Sequence, residues 1–190
     1  MCIRDRIIVF VLLAFISIYS NAQGKFEPSV KVSFDLGIDD YKNKSFGAEF
    51  IGAYRVNEIF KVGIGTGISY CDFLYEKAGI NAILGKYYDD YRQTAAYIPL
   101  FINGKLNLKK GGISPYLSID LGYTFFISFS NYADNNKLGL MIKPAFGVDF
   151  PLNKGSIFTE IAYKHQARKF DLVTNNMNYS QISFGIGYTF

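Results

Sequence analysis

The chain has 190 residues, which fits a single domain, and its composition is unusual for a soluble enzyme. Aromatic residues reach 17%, all of them Phe and Tyr, whereas charged residues reach only 19%, below the roughly 25% of ordinary soluble domains. The net charge of +4, without an extended run of Lys and Arg, argues against a nucleic-acid partner. Beyond residue 22 no stretch has the ~20 consecutive apolar residues of a membrane helix, so the apolar residues are dispersed.

The first predicted element is a short apolar segment, IIVFVLLAFISI at positions 7–18, which follows two arginines. Small residues occupy positions −3 and −1 of a cleavage point before Gln23. This order is typical of a secretory signal, and about a dozen apolar residues are too few to span a bilayer. We therefore expect a signal peptide at 1–22 and the mature protein at 23–190. Because the leading MCIRDR, residues 1–6, resembles translated sequencing-adapter sequence, the expectation depends on the segment after it.

The remaining chain alternates apolar and polar residues in eight segments, which is typical of β-strands. Their approximate ranges are 30–36, 46–56, 60–70, 97–108, 116–125, 140–150, 157–164 and 182–190. Long polar connections at 38–45, 75–93, 130–137 and 166–178 alternate with short ones at 57–58, 109–112 and 151–155. Transmembrane barrels have short periplasmic turns and longer outer loops. We therefore predict an all-β fold, an eight-stranded antiparallel up-and-down transmembrane β-barrel with both termini periplasmic.

The two faces of the predicted strands distinguish a membrane barrel from a soluble one. A soluble barrel is apolar inside and polar outside, whereas a membrane barrel is apolar outside because lipid cannot satisfy polar groups. Here one face is aliphatic and aromatic, and the other combines glycines with sparse charges, which suits a narrow lumen better than a solvated surface. Five tyrosines lie near the predicted strand ends on the apolar face, as in an interfacial girdle: Tyr54, Tyr70, Tyr123, Tyr163 and Tyr188.

The charges on the glycine-rich face form the first set of candidate functional residues. We expect them to make a lumen charge network, because an unpaired charge in so narrow a space is very costly. The predicted network contains Lys31, Asp35, Glu49, Arg55, Lys61, Lys105, Asp120, Lys143, Asp149, Glu160 and Lys164.

Three stretches carry a resemblance to a known family: YIPLFINGKLNL, ISPYLSIDLGYTF and the terminal YSQISFGIGYTF. Together with the NAQ junction, they resemble the small outer-membrane β-barrel (porin-like, OmpX/OmpA-type) domains of Gram-negative bacteria, over about residues 23–190. The resemblance implies an outer-membrane location and a last strand that the outer-membrane assembly machinery reads as an insertion signal. That signal would be carried by Phe184, Ile186, Tyr188 and Phe190.

His165 is the one conventional candidate for a catalytic base. Some eight-stranded outer-membrane barrels modify lipid A with a histidine, a serine and an acid. Here no serine follows His165 at a strand-compatible spacing, so we expect an interfacial or loop histidine and no catalytic residue. Once a signal peptide is removed, Cys71 is the single cysteine, which excludes an intramolecular disulfide and a thiol metal site.

The predicted outer connections contain two further candidate groups. The aspartates at 39–40 and 89–90 are expected to be solvated, because their spacing matches no calcium loop. The tyrosines Tyr87, Tyr88 and Tyr91 would form either an adhesive patch or a cap on the barrel.

From these patterns we predict a non-enzymatic outer-membrane barrel with a side-chain-filled lumen and a structural or adhesion and recognition role. A narrow passive channel is the alternative, and a lipid A-modifying enzyme is a third class. The expected partners are outer-membrane lipid, the assembly machinery during biogenesis, and an extracellular ligand that the sequence does not identify. No cofactor, metal or nucleic acid is expected.

Overall fold

A computed structural model of the protein describes residues 25–38, 43–81, 85–128, 138–168 and 177–190. Each strand pairs antiparallel with its neighbours in chain order, and the last strand pairs with the first, so the sheet closes into a barrel. The predicted eight-stranded antiparallel barrel is confirmed. The strands are β1 (Phe26–Gly37), β2 (Asn43–Arg55), β3 (Phe60–Asn81), β4 (Gly85–Asn107), β5 (Ser114–Ser128), β6 (Leu138–Pro151), β7 (Ser156–Arg168) and β8 (Met177–Thr189).

Alternation along each strand separates a polar interior from an apolar exterior. In β1, Lys31 and Asp35 are only 2% and 1% exposed, whereas Val32 and Phe34 between them are 38% and 43% exposed. The same order recurs around the barrel, where the exposed large side chains are overwhelmingly aliphatic or aromatic. Successive side chains of a strand point to opposite faces. A sequence that alternates polar and apolar residues therefore places the polar ones inside and the apolar ones outside, the reverse of a soluble barrel.

The barrel has two distinct ends. The turn end carries the short connections 56–59, 108–113 and 152–155, and the first and last described residues, Lys25 and Phe190, also lie there. The opposite end, where the other connections lie, is called the loop end. Of the five girdle tyrosines, Tyr54 and Tyr188 lie near the turn end, and Tyr70, Tyr123 and Tyr163 lie on the outer face toward the loop end.

Backbone chemistry explains the short turns. In the first, the Asn57 side-chain oxygen accepts hydrogen bonds from the backbone N–H groups of Ile59 and Phe60, at 3.0 and 2.7 Å. In the second, Gly111 and Gly112 have φ angles of 68° and 64°, in the left-handed region that glycine adopts without strain. These turns join neighbouring strands with few residues, as an up-and-down barrel requires.

One expectation about the connections is wrong. Residues 75–93 were expected to form a long polar loop, but β3 and β4 continue as a paired hairpin from Phe73 and Gln93 to Asn81 and Gly85. Pairing of β3 with β2 ends at Phe73, and pairing of β4 with β5 ends at Ala95, so the hairpin extends beyond the closed barrel. The expected loops at 38–45, 130–137 and 166–178 fall largely outside the described residues. No helix among the described residues is long and apolar enough to cross a membrane.

Candidate functional site

The middle of the lumen is crossed by five ionisable side chains, here called the central charge cluster: Lys31, Glu49, Asp120, Lys143 and Glu160. Lys31 Nζ lies 2.6 Å from Glu49 Oε2 and 2.7 Å from Glu160 Oε1. Lys143 Nζ donates to both carboxylate oxygens of Glu49, at 3.0 and 3.2 Å. Because β2 and β6 are four strands apart in a barrel of eight, the Glu49–Lys143 pair joins opposite walls. The cluster therefore spans the full width of the lumen.

Neutral groups complete the hydrogen bonding of the central charge cluster. The Asn103 amide donates to Asp120 Oδ1 at 2.6 Å, and Asp120 Oδ2 lies 3.9 Å from Lys143 Nζ. The Tyr116 hydroxyl donates to Glu160 Oε2 at 3.1 Å. Buried charges are tolerated where their remaining hydrogen-bonding capacity is satisfied in this way.

A second set of polar contacts lies on the loop side of the central charge cluster. Lys164 Nζ donates to Asp35 Oδ2 at 3.0 Å and to the Tyr97 hydroxyl at 2.8 Å. Ser45 Oγ donates to the same Asp35 oxygen at 3.0 Å. These four side chains come from β1, β2, β4 and β7, so they also bridge across the lumen.

A third set of polar contacts lies on the turn side of the lumen. Glu27 pairs with Arg55 and with Lys61, whose Nζ lies 2.5 Å from Glu27 Oε2. Lys105 Nζ lies 2.8 Å from Asp149 Oδ2 and 3.7 Å from the centroid of the Tyr116 ring, a cation–π distance. A cavity of about 30 Å³ lies beside these groups, enough for one or two water molecules.

The lumen glycines make room for lumen rings. Phe101 lies between Gly65 and Gly122 in register, and a Cβ at either glycine would run into Phe101. Phe158 likewise lies opposite Gly187, where a Cβ would meet its ring. A narrow barrel can hold such rings only if the neighbouring strand has no side chain at that height. The glycine-rich face of the sequence therefore reflects dense filling by side chains.

All eleven residues of the predicted lumen network lie on the inward face, and the structure brings them together as the pairs described above. Arg55 differs from the rest, since its side chain is 47% exposed at the turn-end mouth. Sequence reasoning missed Glu27, although it lies in phase with Lys31 and Asp35, three residues upstream of the first predicted strand. With Glu27 included, the lumen contains six basic and six acidic side chains and is neutral.

Neutral partners in the lumen were also missed as site residues. Tyr97, Tyr116 and Asn103 were placed on the inward face by alternation, but no local signal showed that they would bond to Lys164, Glu160 and Asp120. The residues of the predicted assembly signal lie on the outward face of β8 and at its end, with Phe184 48%, Ile186 52% and Phe190 64% exposed. Tyr188, the fourth, is half-buried and donates a hydrogen bond to the carbonyl of Lys154.

The surroundings of His165 correct one premise of the sequence argument. A serine does lie beside it: the Ser180 hydroxyl is 3.1 Å from His165 Nδ1, because Ser180 is its register partner on β8. Residue spacing along β7 does not show which residue of β8 lies beside His165, so the sequence did not predict this partner. The Tyr163 hydroxyl also bonds to Ser180, at 3.0 Å, which makes a polar group on the outer face near the loop end.

Metal candidates are sparse in the described part of the chain. Among those residues no group of three or more His, Cys, Asp or Glu side chains is arranged to hold a metal ion. The predicted loop aspartates at 39–40 lie outside the described residues, and for residues 87–91 only the strand backbone of β4 is described. Cys71 is buried and forms no disulfide among the described residues.

An apolar exterior, tyrosines at both edges and a lumen filled with paired charges define a transmembrane β-barrel. The chain belongs to the outer membrane protein beta-barrel domain family, whose sequence profile matches residues 8–190. It is therefore a β-barrel of the Gram-negative outer membrane, and the resemblance found in the sequence is confirmed. No curated protein matches the chain significantly.

Solved structures with a similar fold include three outer-membrane proteins. Neisserial surface protein A (NspA) has a TM-score of 0.53 and 14% identity over 87% of this chain and 97% of its own. OprG from Pseudomonas aeruginosa has a TM-score of 0.53 and 14% identity over 88% and 96%. The outer membrane enzyme PagL has a TM-score of 0.53 and 9% identity over 84% and 97%. At these identities the similarity concerns the fold.

Proposed function

We propose that this protein is a non-enzymatic outer-membrane barrel whose lumen is closed by side chains and which acts as a structural element or through its loop end. The Glu49–Lys143 contact across the full width of the barrel carries the proposal. Both side chains are at most 2% exposed, which supports a lumen filled by side chains at this height. Opening the lumen at this height would require two charges to separate in a low-dielectric environment.

A narrow passive channel is the alternative that this geometry disfavours. Eight strands leave room for little more than side chains, and the cavity of about 30 Å³ lies at the turn side of the central charge cluster. A channel would need such cavities to join through all three polar layers.

Conductance in planar lipid bilayers tests the closed lumen. We expect the purified, folded protein to give no stable single-channel steps. A variant with Lys31, Glu49, Lys143 and Glu160 all replaced by Ser should conduct, which shows that the assay detects an open barrel. Reproducible steps from the unmodified protein, with a shift in gel mobility on heating as proof of folding, would overturn the proposal.

The projecting β3–β4 hairpin supports a role at the loop end. Its last residues pair only with each other in the barrel as described, so it presents a ribbon beyond the membrane-embedded sheet. The hairpin sequence includes Tyr87, Tyr88 and Tyr91, which the sequence analysis identified as an adhesive patch or a cap. Within the described part of the loop end, this hairpin is the element that we propose for contact with an extracellular ligand.

The orientation in the membrane is part of the same proposal. Outer-membrane barrels have short periplasmic turns and longer extracellular loops. The turn end, with both ends of the described chain, is therefore proposed to face the periplasm. On this view β8 is the strand that the assembly machinery recognises, and its outward residues contact outer-membrane lipid afterwards.

Enzymatic activity is retained as a second candidate, because the Ser180–His165 hydrogen bond supplies a nucleophile beside a base on the lipid-facing surface. In a lipid acyl hydrolase, Ser180 Oγ would attack an ester carbonyl while His165 accepts the hydroxyl proton. The ester C–O bond would then break, the leaving alcohol would take that proton, and water would hydrolyse the acyl group from Ser180. A third group should orient the histidine, yet no described carboxylate hydrogen-bonds to His165. We therefore propose that the Ser180–His165 hydrogen bond is a polar contact at the membrane interface and not a catalytic pair.

Mass spectrometry of lipid A distinguishes the enzymatic from the non-enzymatic role. Cells with and without the protein should give identical lipid A. A difference that disappears in both Ser180→Ala and His165→Ala would establish the enzyme and refute the proposed non-enzymatic role. A Tyr163→Phe variant is the matched control, because it removes one hydrogen bond to Ser180 but leaves the Ser180 hydroxyl and the His165 ring in place.

A further inference from the structure

The positive charge of the barrel is concentrated at its turn end. Exposed basic side chains occur there in two of the three short connections, at the end of β2 and at the start of the described chain: Lys25, Arg55, Lys109, Lys110 and Lys154. Among the described side chains at this end, Glu58 has the one exposed carboxylate, and it pairs with Lys110 at 2.5 Å. We call the five basic residues the turn-end basic rim.

No other part of the chain has a comparable excess of basic over acidic side chains. Residues 25–190 contain eighteen basic and fifteen acidic side chains, a net charge of +3. The lumen is neutral when Arg55 is counted with it, and the sequence segments at the loop end contain equal numbers of acidic and basic residues. The net charge of +3 therefore comes from the four rim lysines and Glu58. The rim lysines come from two turns and from the start of the described chain, which are far apart in sequence, so the sequence shows no basic cluster although the fold builds one.

Apolar side chains are interleaved with the turn-end basic rim. Leu108 and Ile113 flank the Lys109–Lys110 pair and are 54% and 57% exposed. Leu152 precedes Lys154 and is 51% exposed, and Val56 follows Arg55 and is 50% exposed. A turn projecting into water gains nothing from such side chains. At the boundary of a bilayer, in contrast, the apolar groups enter the acyl region while the lysines extend to the phosphates.

Backbone geometry keeps one pair of lysines at the surface. Gly111 and Gly112, at positive φ, reverse the chain immediately after Lys110, and no atom lies within 4 Å of where their Cβ atoms would be. The Lys109–Lys110 turn is thus open on its outer side. Since Glu58 neutralises Lys110, the most available cations of the rim are Lys25, Lys109 and Lys154.

We propose that the turn-end basic rim binds anionic phospholipid headgroups of the membrane leaflet that it faces. Clustered lysines at a bilayer surface attract anionic lipid electrostatically, and the attraction is additive and screened by salt. The proposal goes beyond the closed lumen and does not depend on it: a conducting barrel would carry the same rim.

Lipid selectivity measured by electron paramagnetic resonance tests the rim. The full barrel is reconstituted in phosphatidylcholine vesicles with spin-labelled phosphatidylglycerol or spin-labelled phosphatidylcholine, and the relative association constants are compared. We expect a preference of about threefold for phosphatidylglycerol at low salt, lost at high salt. The variant K25Q/K109Q/K154Q should reduce the preference to near one.

Two control variants make the outcome specific. Lys44→Gln removes an exposed cation on the outer face at the loop end and should leave the preference unchanged. Glu58→Gln removes the rim's carboxylate and should increase it. Equal association constants in the unmodified barrel, or a loss caused by Lys44→Gln and not by the triple variant, would overturn the proposal. Free inorganic phosphate that competes as well as the lipid would show a simple phosphate site instead.

Discussion

Glu49 is the residue on which the central charge cluster depends most. Its carboxylate neutralises both Lys31 and Lys143, and all three side chains are at most 2% exposed. Glu49→Gln keeps the shape but leaves two buried ammonium groups with less compensation, so we expect a loss of about 3 kcal/mol in the free energy of unfolding. Urea unfolding of the folded barrel in lipid vesicles measures it. An unchanged midpoint would show that the lumen is solvated.

The matched control removes both members of the diametric pair. Glu49→Leu with Lys143→Met replaces an ion pair by apolar groups of similar length. The Lys143 charge is removed together with the Glu49 charge, so Lys143 is not left as a buried unpaired cation. We expect the double variant to be more stable than Glu49→Gln, even though it carries one more substitution. The opposite order would mean that packing, and not charge balance, governs this part of the lumen.

At the same scale, alternation in the sequence predicted which charges face inward, because side-chain direction has a period of two residues. It could not predict partners. Lys31 pairs with Glu49 on the adjacent β2 and with Glu160 on β7, two strands away in the closed sheet, and these contacts depend on how the strands are staggered. The Ser180–His165 contact was missed for the same reason, since it joins two strands.

At the scale of single elements, the β3–β4 hairpin is separable from the barrel. Beyond Phe73 and Ala95 its strands pair only with each other in the described structure, and a two-stranded ribbon adds little stability of its own. We expect replacement of residues 76–90 by Asn-Gly, which joins the register partners Tyr75 and Tyr91, to change the free energy of unfolding by less than about 0.5 kcal/mol. Heat-modifiable gel mobility and urea titration check this.

The shortened hairpin also tests the recognition role. Cells that display the shortened barrel should adhere less to protein- or glycan-coated surfaces than cells with the full barrel at equal surface level. Equal adherence of the two kinds of cell would contradict a recognition role for the hairpin and would favour the structural role. The sequence predicts a loop here because GKYYDDYRQ has no apolar alternation. Outside the membrane neither face needs to be apolar, so a strand there leaves no period-2 signal.

For the whole molecule, the decisive step is closure between β8 and β1. The backbone N–H of Phe190 donates to the carbonyl of Pro28 at 2.9 Å, and the Phe190 ring meets the Tyr188 ring edge-on at 4.9 Å. The ring itself is 64% exposed, so the finished barrel gains little from it.

If Phe190 serves assembly, its loss should affect cells more than the purified protein. We expect Phe190→Ala to lower the amount of folded barrel in the outer membrane several-fold, while the refolded protein loses no more than about 1 kcal/mol of stability. Phe146→Ala is the matched control, because Phe146 is a lipid-facing aromatic of β6 with 47% exposure and no terminal position. An equal loss in both variants would show that the membrane surface needs aromatic residues generally, and that the end of β8 carries no separate signal.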